Sequence, residues 1–437
     1  MRRFAVIGSG IAGLAAARGL TALGRVTLFE AAGWFGGHTH TVDLTLDGTT
    51  HGVDTGFLVF NERTYPKLIA LFAELGVESA PSEMSFSVQA DAGGLEWSGC
   101  NLDTVFAQRA NLARPAFWRM LADLLRFNRL TTALAEDAGA AGTASLDQPI
   151  GDFLVAHRFS DAFRDWYLLP MIGCIWSCPT DQMLRFPIAT LIRFCHNHGL
   201  LQVTGRPPWR TVRGGARTYV ARMLEAIADA RLNTPVRRIH RLASGGAEVS
   251  TDGAREHFDA VVLACHSDQA MALLADPSDA EREVLGAVRY HDNRAVLHTD
   301  ASVLPRRRRA WAAWNYERAP SADRESASVC LHYLINRLQP VPFTTPVIVS
   351  LNPLRPPAAG TVHGEFDYAH PVFDRAAVAA QAKLPALQGR RDTWFCGAWT
   401  RYGFHEDGLA SGLDVAERIA AQSATDAPAT VVALATP

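Results

Sequence analysis

Residues 4–30 read FAVIGSGIAGLAAARGLTALGRVTLFE. Phe4-Ala5-Val6-Ile7 is a short unbroken apolar run, the pattern of a strand buried on both faces. Gly8, Gly10 and Gly13 follow as GxGxxG, and Leu14, Ala15, Ala16, Ala17 and Leu20 continue as a helix. Val26, Leu28 and Phe29 form a second strand that ends at Glu30. Each glycine has a task in such a unit. Gly8 allows a tight turn, Gly10 lets backbone approach a pyrophosphate, and Gly13 lets the helix lie close on the sheet. The helix start, with Ser9, Ile11 and Ala12, offers backbone N–H groups to phosphate. Glu30, with Ala31 beside it, is placed to accept hydrogen bonds from a ribose, and its charge disfavours a 2′-phosphate. A bare glycine turn without a ligand is the plain alternative; strand, turn, helix, strand and acid in this order point to dinucleotide binding.

The chain has 437 residues, too many for one simple domain. Its 42 basic and 44 acidic residues nearly cancel, so nothing draws it to nucleic acid. No uninterrupted apolar run nears the ~18 residues of a membrane-spanning helix. The seven cysteines include no CxxC pair, and Cys174 and Cys178 lack a matching second pair. Neither a metal site nor a disulfide framework is indicated, and a reducing cytoplasm is the expected compartment. The opening MRRFAVIGSGIAGLAAA shares the charge and small residues of an export signal. The strand, turn and helix described above account for the same residues.

Further segments extend the reading. Gly33-Trp34-Phe35-Gly36-Gly37-His38 follows the acid, and a simple NAD domain does not need that glycine pair. Asp54-Thr55-Gly56-Phe57 comes next. Near the other end, Thr393-Trp394-Phe395-Cys396-Gly397-Ala398 reads as a strand running into glycine. GFHEDG at 403–408 follows, then a helix from Leu409 through Ser411, Gly412 and Ala416. Between them, Pro235–Ile239 and Phe258–Ala264 read as strands. These separated segments, in this order, resemble the flavin amine oxidase superfamily.

The resemblance implies an α/β fold: a Rossmann-like FAD-binding domain of the GR2/amine-oxidase type with an inserted α+β substrate domain. FAD is then the cofactor. Gly36, Gly37, His38 and Thr39 would run along it, with His38 where an arginine is common. Thr55, Gly56 and Phe57 would turn beside the flavin, and the backbone at Val236 would meet adenine. Gly397, Asp407, Gly408 and Leu409 would close the site, with the helix N-terminus facing the flavin edge that gains negative charge on reduction. The FAD domain would comprise residues 1–80, 205–275 and 386–422. The substrate domain would comprise 81–204, expected mainly helical, and 276–385. Residues 423–437, rich in Ala, Thr and Pro, read as a tail.

Amine oxidases of this superfamily commonly use a lysine in the second insertion to help oxygen reoxidise the flavin. The only lysines here are Lys67 and Lys383. The aromatic cage is incomplete as well: Phe404 takes one position, and His405 and Glu406 follow it. Other segments resemble a narrower bacterial flavoprotein group: GGHTHTV at 36–42, GFLVFNERTYP at 56–66, LHTD at 297–300, WNY at 314–316 and GFHEDG at 403–408. That group is linked with cyclopropane-type fatty-acid methyltransferases and furan fatty-acid formation, in which a methyl-branched acyl chain of a membrane phospholipid is desaturated. Fatty-acid double-bond isomerases are more distant relatives.

A lipid enzyme must reach its substrate. Residues 115–134 carry Phe117, Trp118, Met120, Leu121, Leu124, Leu125, Phe127 and Leu130, interleaved with Arg114, Arg119, Arg126 and Arg129, against Asp123 alone. This reads as a basic amphipathic helix, packed on its own protein or set on an anionic surface. Arg306–Arg309 with Trp311 and Trp314 offers a second patch or a solvated loop. The expected place is the cytoplasm, with peripheral contact at the inner face of its membrane.

Removing a hydride from an acyl chain needs an oriented C–H and a base for the second hydrogen. His405 and Glu406 are the candidates, in the loop that should reach the flavin; Glu406 and Asp407 could instead cap the following helix. Phe57, Asn61, Tyr65, Trp314 and Phe404 are the candidate substrate contacts, Asn61 and Tyr65 having buttressing as their alternative. The expected activity is desaturation of a methyl-branched unsaturated acyl chain. Flavin-dependent double-bond isomerisation, a non-catalytic flavoprotein partner of a lipid methyltransferase and, last, amine oxidation stand as alternatives. The electron acceptor is left open.

Overall fold

The computed structural model describes residues 1–90, 94–141, 148–177, 179–202, 205–319 and 329–425. Its contacts divide the chain into two compact units. The first joins Met1–Gly37, Val220–Gly286 and the described residues from Gln381 on; the second joins His38–Tyr219 and Ala287–Ala380.

The first unit is built on a five-stranded sheet in the order Asp229–Arg231, Gly24–Phe29, Arg2–Ile7, Ala260–Leu263, Thr393–Phe395. Every neighbouring pair is parallel. The middle strands are buried on both faces, which is why they read as unbroken apolar runs. Ile7 sits between Phe29 and Leu263. Sequentially earlier strands lie to one side of Arg2–Ile7 and later ones to the other. The turn leaving that strand therefore opens at the crevice where such sheets bind nucleotides. An antiparallel sheet of Val236–Arg241, Ala247–Thr251 and Arg255–Phe258 completes the unit.

Helix Ile11–Leu20 packs along helix His405–Thr425 by way of small residues. A Cβ on Gly412 would stand 2.1 Å from the Ala12 carbonyl oxygen, and one on Gly19 would stand 2.7 Å from Ala416 Cβ. The second helix begins at His405, four residues before the expected Leu409. The Asp407 carboxylate accepts the Phe404 N–H at 3.0 Å, and Glu406 and Asp407 occupy the first turn, where the helix dipole favours acids. The stretch read as loop is thus the helix start.

The second unit carries a seven-stranded sheet in the order Val362–Val372, Arg289–His298, Ile348–Leu351, Cys330–Leu334, Trp314–Glu317, Phe86–Ala90, Leu95–Ser98. All pairs are antiparallel except Trp314–Glu317 with Phe86–Ala90. Hairpin Thr41–Leu46/Thr49–Asp54 and a small sheet of Phe60–Asn61, Trp209–Val212 and Ser79–Ser82 accompany it. The first insertion adds helices Pro115–Ala141, Ile150–Ala156, Leu169–Trp176 and Ile188–Asn197.

The contact boundaries differ from the sequence boundaries at 80, 205 and 275. Residues 38–80 and 205–219 join the second unit, because Phe60–Asn61 and Ser79–Ser82 both pair with Trp209–Val212. Helix Asp279–Leu285 joins the first, where buried Glu281 holds the guanidinium of Arg241. The segment assigned as tail starts inside helix His405–Thr425, and 426–437 and Cys178 lie outside the described residues.

Candidate active site: a flavin cradle and a histidine-rich wall

In the first unit the two glycine motifs close on each other. Gly8 takes φ +102° and its N–H donates to the Phe29 carbonyl at 2.9 Å, which binds the turn to both strands. A Cβ on Gly13 would lie 1.9 Å from the Gly8 carbonyl oxygen, so only glycine permits this helix to sit so near the turn. A Cβ on Gly10 would have nothing within 4 Å. That open side, at the N-cap of helix Ile11–Leu20, is the space a pyrophosphate needs. Gly36 donates its N–H to the Ser9 carbonyl and to Ser9 Oγ, both at 3.1 Å, and Gly37 comes within contact of Gly10.

Glu30 accepts the N–H of Ser9 at 2.9 Å, the hydroxyl of Ser9 at 2.6 Å and the N–H of Ala32 at 2.8 Å. It is held at the end of its strand, beside exposed Ala31. The Asn233 and Thr234 N–H groups donate to the carbonyls of Ala32 and Glu30, which brings the backbone leading to Val236 alongside the acid. Ile11, Ala12 and Leu409 have buried side chains, so they offer backbone only. Gly397 donates its N–H to Ser411 Oγ, and Ser411 donates to the Gly408 carbonyl. One serine thus ties the glycine after strand Thr393–Phe395 to the last helix. These residues fit a flavin dinucleotide: paired glycine turns, an open N-cap, a ribose-level acid and a second helix N-terminus.

Phe404, His405 and Glu406 are half-buried at that second N-terminus. Asp407 is different. Burial raises its carboxyl to about 6, against the lowering effect of the N–H groups of Phe404 and Tyr402. Its carboxylate fastens the helix start through the Phe404 N–H.

In the second unit His38, Thr39, Thr55, Gly56, Phe57, Asn61, Tyr65 and Trp314 fall at three places. The first is a wall of imidazoles. The His38 carbonyl accepts the Phe57 N–H at 2.8 Å, and the His40 carbonyl accepts that of Thr55 at 2.9 Å. A Cβ on Gly56 would meet the His38 carbonyl oxygen at 2.2 Å. The rings of Tyr368 and His370 lie 5.0 and 5.2 Å from that of His38, and Phe366 sits edge-on to His40. The Tyr368 hydroxyl joins Thr55 Oγ at 2.7 Å and His40 Nδ1 at 3.2 Å. Asn293 Nδ2 donates to His370 Nδ1 at 2.8 Å, which leaves the ring proton on Nε2. Burial, with His38 and His291 nearby, pushes His370 down to about 3, and burial lowers His40 too. Burial raises the Tyr368 phenol to about 12. His370 and Tyr368 are therefore uncharged at neutral pH. Tyr368, His370 and Asn293 were not singled out in the sequence. Their only signal is register, since His291 stands opposite His370 across the strands.

Beneath this wall lies Asp54, fully buried. Its carboxylate accepts from Thr41 Oγ, from the Ala216 N–H at 2.9 Å and from Gln339 Nε2, while its own N–H donates to Gln339 Oε1 at 3.0 Å. Burial raises its carboxyl to about 6. Asp54 pins the turn that carries Thr55 and Gly56. Thr39 is likewise engaged, its hydroxyl bonded to that of buried Tyr219.

Asn61 is buried, and its Oδ1 accepts the N–H groups of Arg63 and Thr64 at 3.0 and 2.9 Å. Its Nδ2 has no acceptor among the described residues. Tyr65 is packed edge-on to Phe60 and His198 in the core. Trp314 stands on the large sheet, edge-on to Tyr333 at 4.9 Å, its Nε1–H without an acceptor among the described residues. The run Arg306–Arg309, placed with it in one patch, is exposed at Arg306, Arg308 and Arg309, and Trp314 itself is half-buried. That run is held from inside: fully buried Glu96 accepts the N–H groups of Arg306 and Arg307 and the Arg307 guanidinium. Trp311 packs on a core of Val303, Leu304, Leu334 and Ile348.

Two of the motif segments hold the sheet together. The Asp300 N–H donates to His298 Nδ1 at 3.1 Å, so His298 carries its proton on Nε2 and donates to Ser350 Oγ at 2.6 Å. The Ser350 hydroxyl then donates to His332 Nδ1 at 2.7 Å, and His332 Nε2–H to Glu317 at 3.0 Å. Cys330, Glu317 and His332 cluster within 4.8 Å, but this direction of donation occupies both ring nitrogens of His332. Asn315, in WNY, accepts from Ala312 N–H and Ser87 Oγ and donates to the carbonyls of Ala312 and His332.

Comparison with known proteins agrees with this architecture. Residues 11–297 match the model of the family described as flavin containing amine oxidoreductase. A Mycobacterium tuberculosis protein named as a flavin-containing monoamine oxidase, AofH, is 27% identical over 285 residues, 62% of this chain. The match spans only 58% of that protein's length. Among solved structures, a fatty acid isomerase from P. acnes that produces CLA superposes with a TM-score of 0.65 at 17% identity, over 95% of this chain and 98% of its own. Cyclohexylamine oxidase from Brevibacterium oxydans gives 0.68 at 16%, over 97% and 99%. At such identities the structural likeness speaks for the fold alone. With the glycine cradle, the acid-ended second strand and the closing helix all in place, this chain belongs to the flavin-containing amine oxidoreductase family and takes FAD as its cofactor.

Proposed function

We propose that this flavoenzyme dehydrogenates a methyl-branched, unsaturated acyl chain of a membrane phospholipid, a step of furan fatty-acid formation. The observation that carries this reading is the uncharged wall of His370, Tyr368, Thr55 and Phe366 in the second unit, formed around the segment GGHTHTV. An acyl chain asks for no counter-charge, and such a wall provides none. The two lysines support the same direction. Lys67 is on the surface of helix Pro66–Leu75, and Lys383 is paired with Glu283, so neither supplies the buried lysine of the amine oxidases.

Bound FAD supplies the hydride acceptor. Dehydrogenation then requires the protein to hold the C–H bond in line and to receive one proton. His405 and Glu406, at the N-terminus of the last helix, are proposed for the proton. The buried donors of Asn61 and Trp314 suit the ester oxygens of a lipid. The electron acceptor that reoxidises the flavin and a lipid methyltransferase as upstream partner belong to the same proposal. Hydride return to another carbon of the chain would give double-bond isomerisation on the same residues, and the fatty acid isomerase sharing the fold makes that the second reading.

Anaerobic mixing with phospholipids carrying methylated and unmethylated monounsaturated chains separates the readings. Loss of the flavin's visible absorption with the methylated lipid, together with a diene product, is the expected result. A moved double bond with no net bleaching would establish the isomerase. No change in flavin or lipid would overturn both. Of His405→Asn and Glu406→Gln, the variant that removes the base slows bleaching by roughly 100-fold or more at unchanged flavin content.

A further inference from the structure

The helix Pro115–Ala141 divides its apolar residues between two faces. Phe117, Met120 and Phe127 are buried in the second unit, whereas Trp118 is 49% and Leu125 54% exposed. Those two are seven positions apart, on one stripe with Ala122 and Arg129. The stripe continues onto neighbouring elements. Leu112, 50% exposed, is joined to Trp118 through the indole N–H on its carbonyl at 2.9 Å. The Trp118 ring also lies tilted against that of Phe106, centroids 5.3 Å apart, one helical turn beyond Leu102, itself 79% exposed. At the other end Arg126 donates to the carbonyls of His157 and Arg158, next to Val155, 79% exposed. Scattered single apolar residues on a surface need no explanation, but five exposed ones on and around one helix, with Trp118 tied to both Leu112 and Phe106, do.

Charge narrows what covers this row. Arg119 and Arg126 flank the stripe and Arg129 lies on it, while the one acid between 115 and 134, Asp123, is buried, accepting from Arg119, Arg126 and the Ser160 N–H. Asp103 is shared by Arg109 and Arg309. A second copy of this chain docking by the same face would set arginine against arginine. A nucleic acid would leave the leucines and valine without a partner. An anionic bilayer satisfies both features: phosphate headgroups for the guanidinium rim and acyl chains for the apolar row.

We propose that this face, with Trp118 and Leu125 at its centre, seats the protein on an anionic phospholipid membrane. The choice of a bilayer rests in part on the acyl-lipid reading above. The test, however, reads binding and not turnover, so the two can fail separately. The full-length FAD-loaded protein is co-sedimented with phosphatidylglycerol–phosphatidylethanolamine vesicles and with phosphatidylcholine vesicles. Binding to the first, weak binding to the second and release by high salt are expected. Trp118→Ser with Leu125→Ser lowers the partition coefficient by about tenfold or more, with flavin content and melting temperature retained. Arg129→Glu lowers it severalfold on anionic vesicles only. The proposal is overturned if the wild-type protein ignores anionic vesicles. It is equally overturned if the variants bind as wild type, or if they abolish a dimer seen in ultracentrifugation while vesicles are never bound. Flavin bleaching by detergent-dispersed lipid, measured in parallel, reports on the catalytic reading alone.

Discussion

Gly13→Val is expected to yield no stable flavin-loaded protein, whereas Gly10→Val is expected to yield a folded protein that purifies without flavin. The two glycines are three residues apart in one motif, yet they fail in different ways. At Gly13 the obstacle is protein: an added Cβ falls 1.9 Å from a backbone oxygen and 3.1 Å from Ala264 Cβ. The helix would have to lift off the sheet, at a cost above roughly 3 kcal/mol, which is a large part of the margin of an ordinary domain. At Gly10 the backbone is in the extended region open to any residue, and no protein atom lies within reach of a Cβ. The valine then occupies only the approach to the helix N-cap. Thermal melts and the ratio of visible to ultraviolet absorbance test both variants. A Gly10→Val protein that keeps its flavin would show that the pyrophosphate does not lie there.

Asp54→Ala is expected to cost about 3 kcal/mol of stability and to loosen the turn that carries Thr55 and Gly56. It strands the Ala216 N–H and Gln339 Nε2 in a fully buried site. Asp54→Asn is much milder. Its amide nitrogen can face Thr41, whose hydroxyl can accept, while its oxygen keeps Ala216 and Gln339. The pair also has a pH signature. The folded carboxyl, at about 6, lies above its ordinary value of 3.8. Its ionisation therefore weakens the fold, fully so above pH 6, and that loss is relieved as pH falls toward 4. Between pH 7.5 and 5 the wild-type protein should gain about 1.4 kcal/mol relative to Asp54→Asn in urea titrations. A difference independent of pH would mean that Asp54 titrates like an exposed carboxylate.

The first unit was legible because its constraints are local. Continuous apolar strands, a glycine at each point of close approach and an acid at a strand end are visible within thirty residues or so. Helix His405–Thr425 was misjudged at its start because Glu406 and Asp407 belong equally to a loop and to a first helical turn. The large sheet of the second unit was hardly legible. Its interior holds Ser87, Asn315, His332, Ser350 and His298, which break the alternation that marks a half-buried strand. Only their mutual hydrogen bonds make such residues affordable inside. Those bonds join strands far apart in the chain, as Ser87 and Asn315, 228 positions apart, show. The wall around Tyr368 was hidden for the same reason. The anchor of the Arg306–Arg309 run was hidden likewise, since Glu96 is distant in sequence and buried.

The clasp between helix Ile11–Leu20 and helix His405–Thr425 has a consequence for biosynthesis. The bond from Arg2 to Ser423 spans 421 positions. The glycine turn at 8–13 is synthesised long before its neighbouring strand Ala260–Leu263 and before its covering helix His405–Thr425. A nascent chain therefore carries half a nucleotide cradle until those segments are made, with the small-residue face of helix Ile11–Leu20 uncovered. Completion of the cradle must await helix His405–Thr425, whose N-terminus closes the cofactor site.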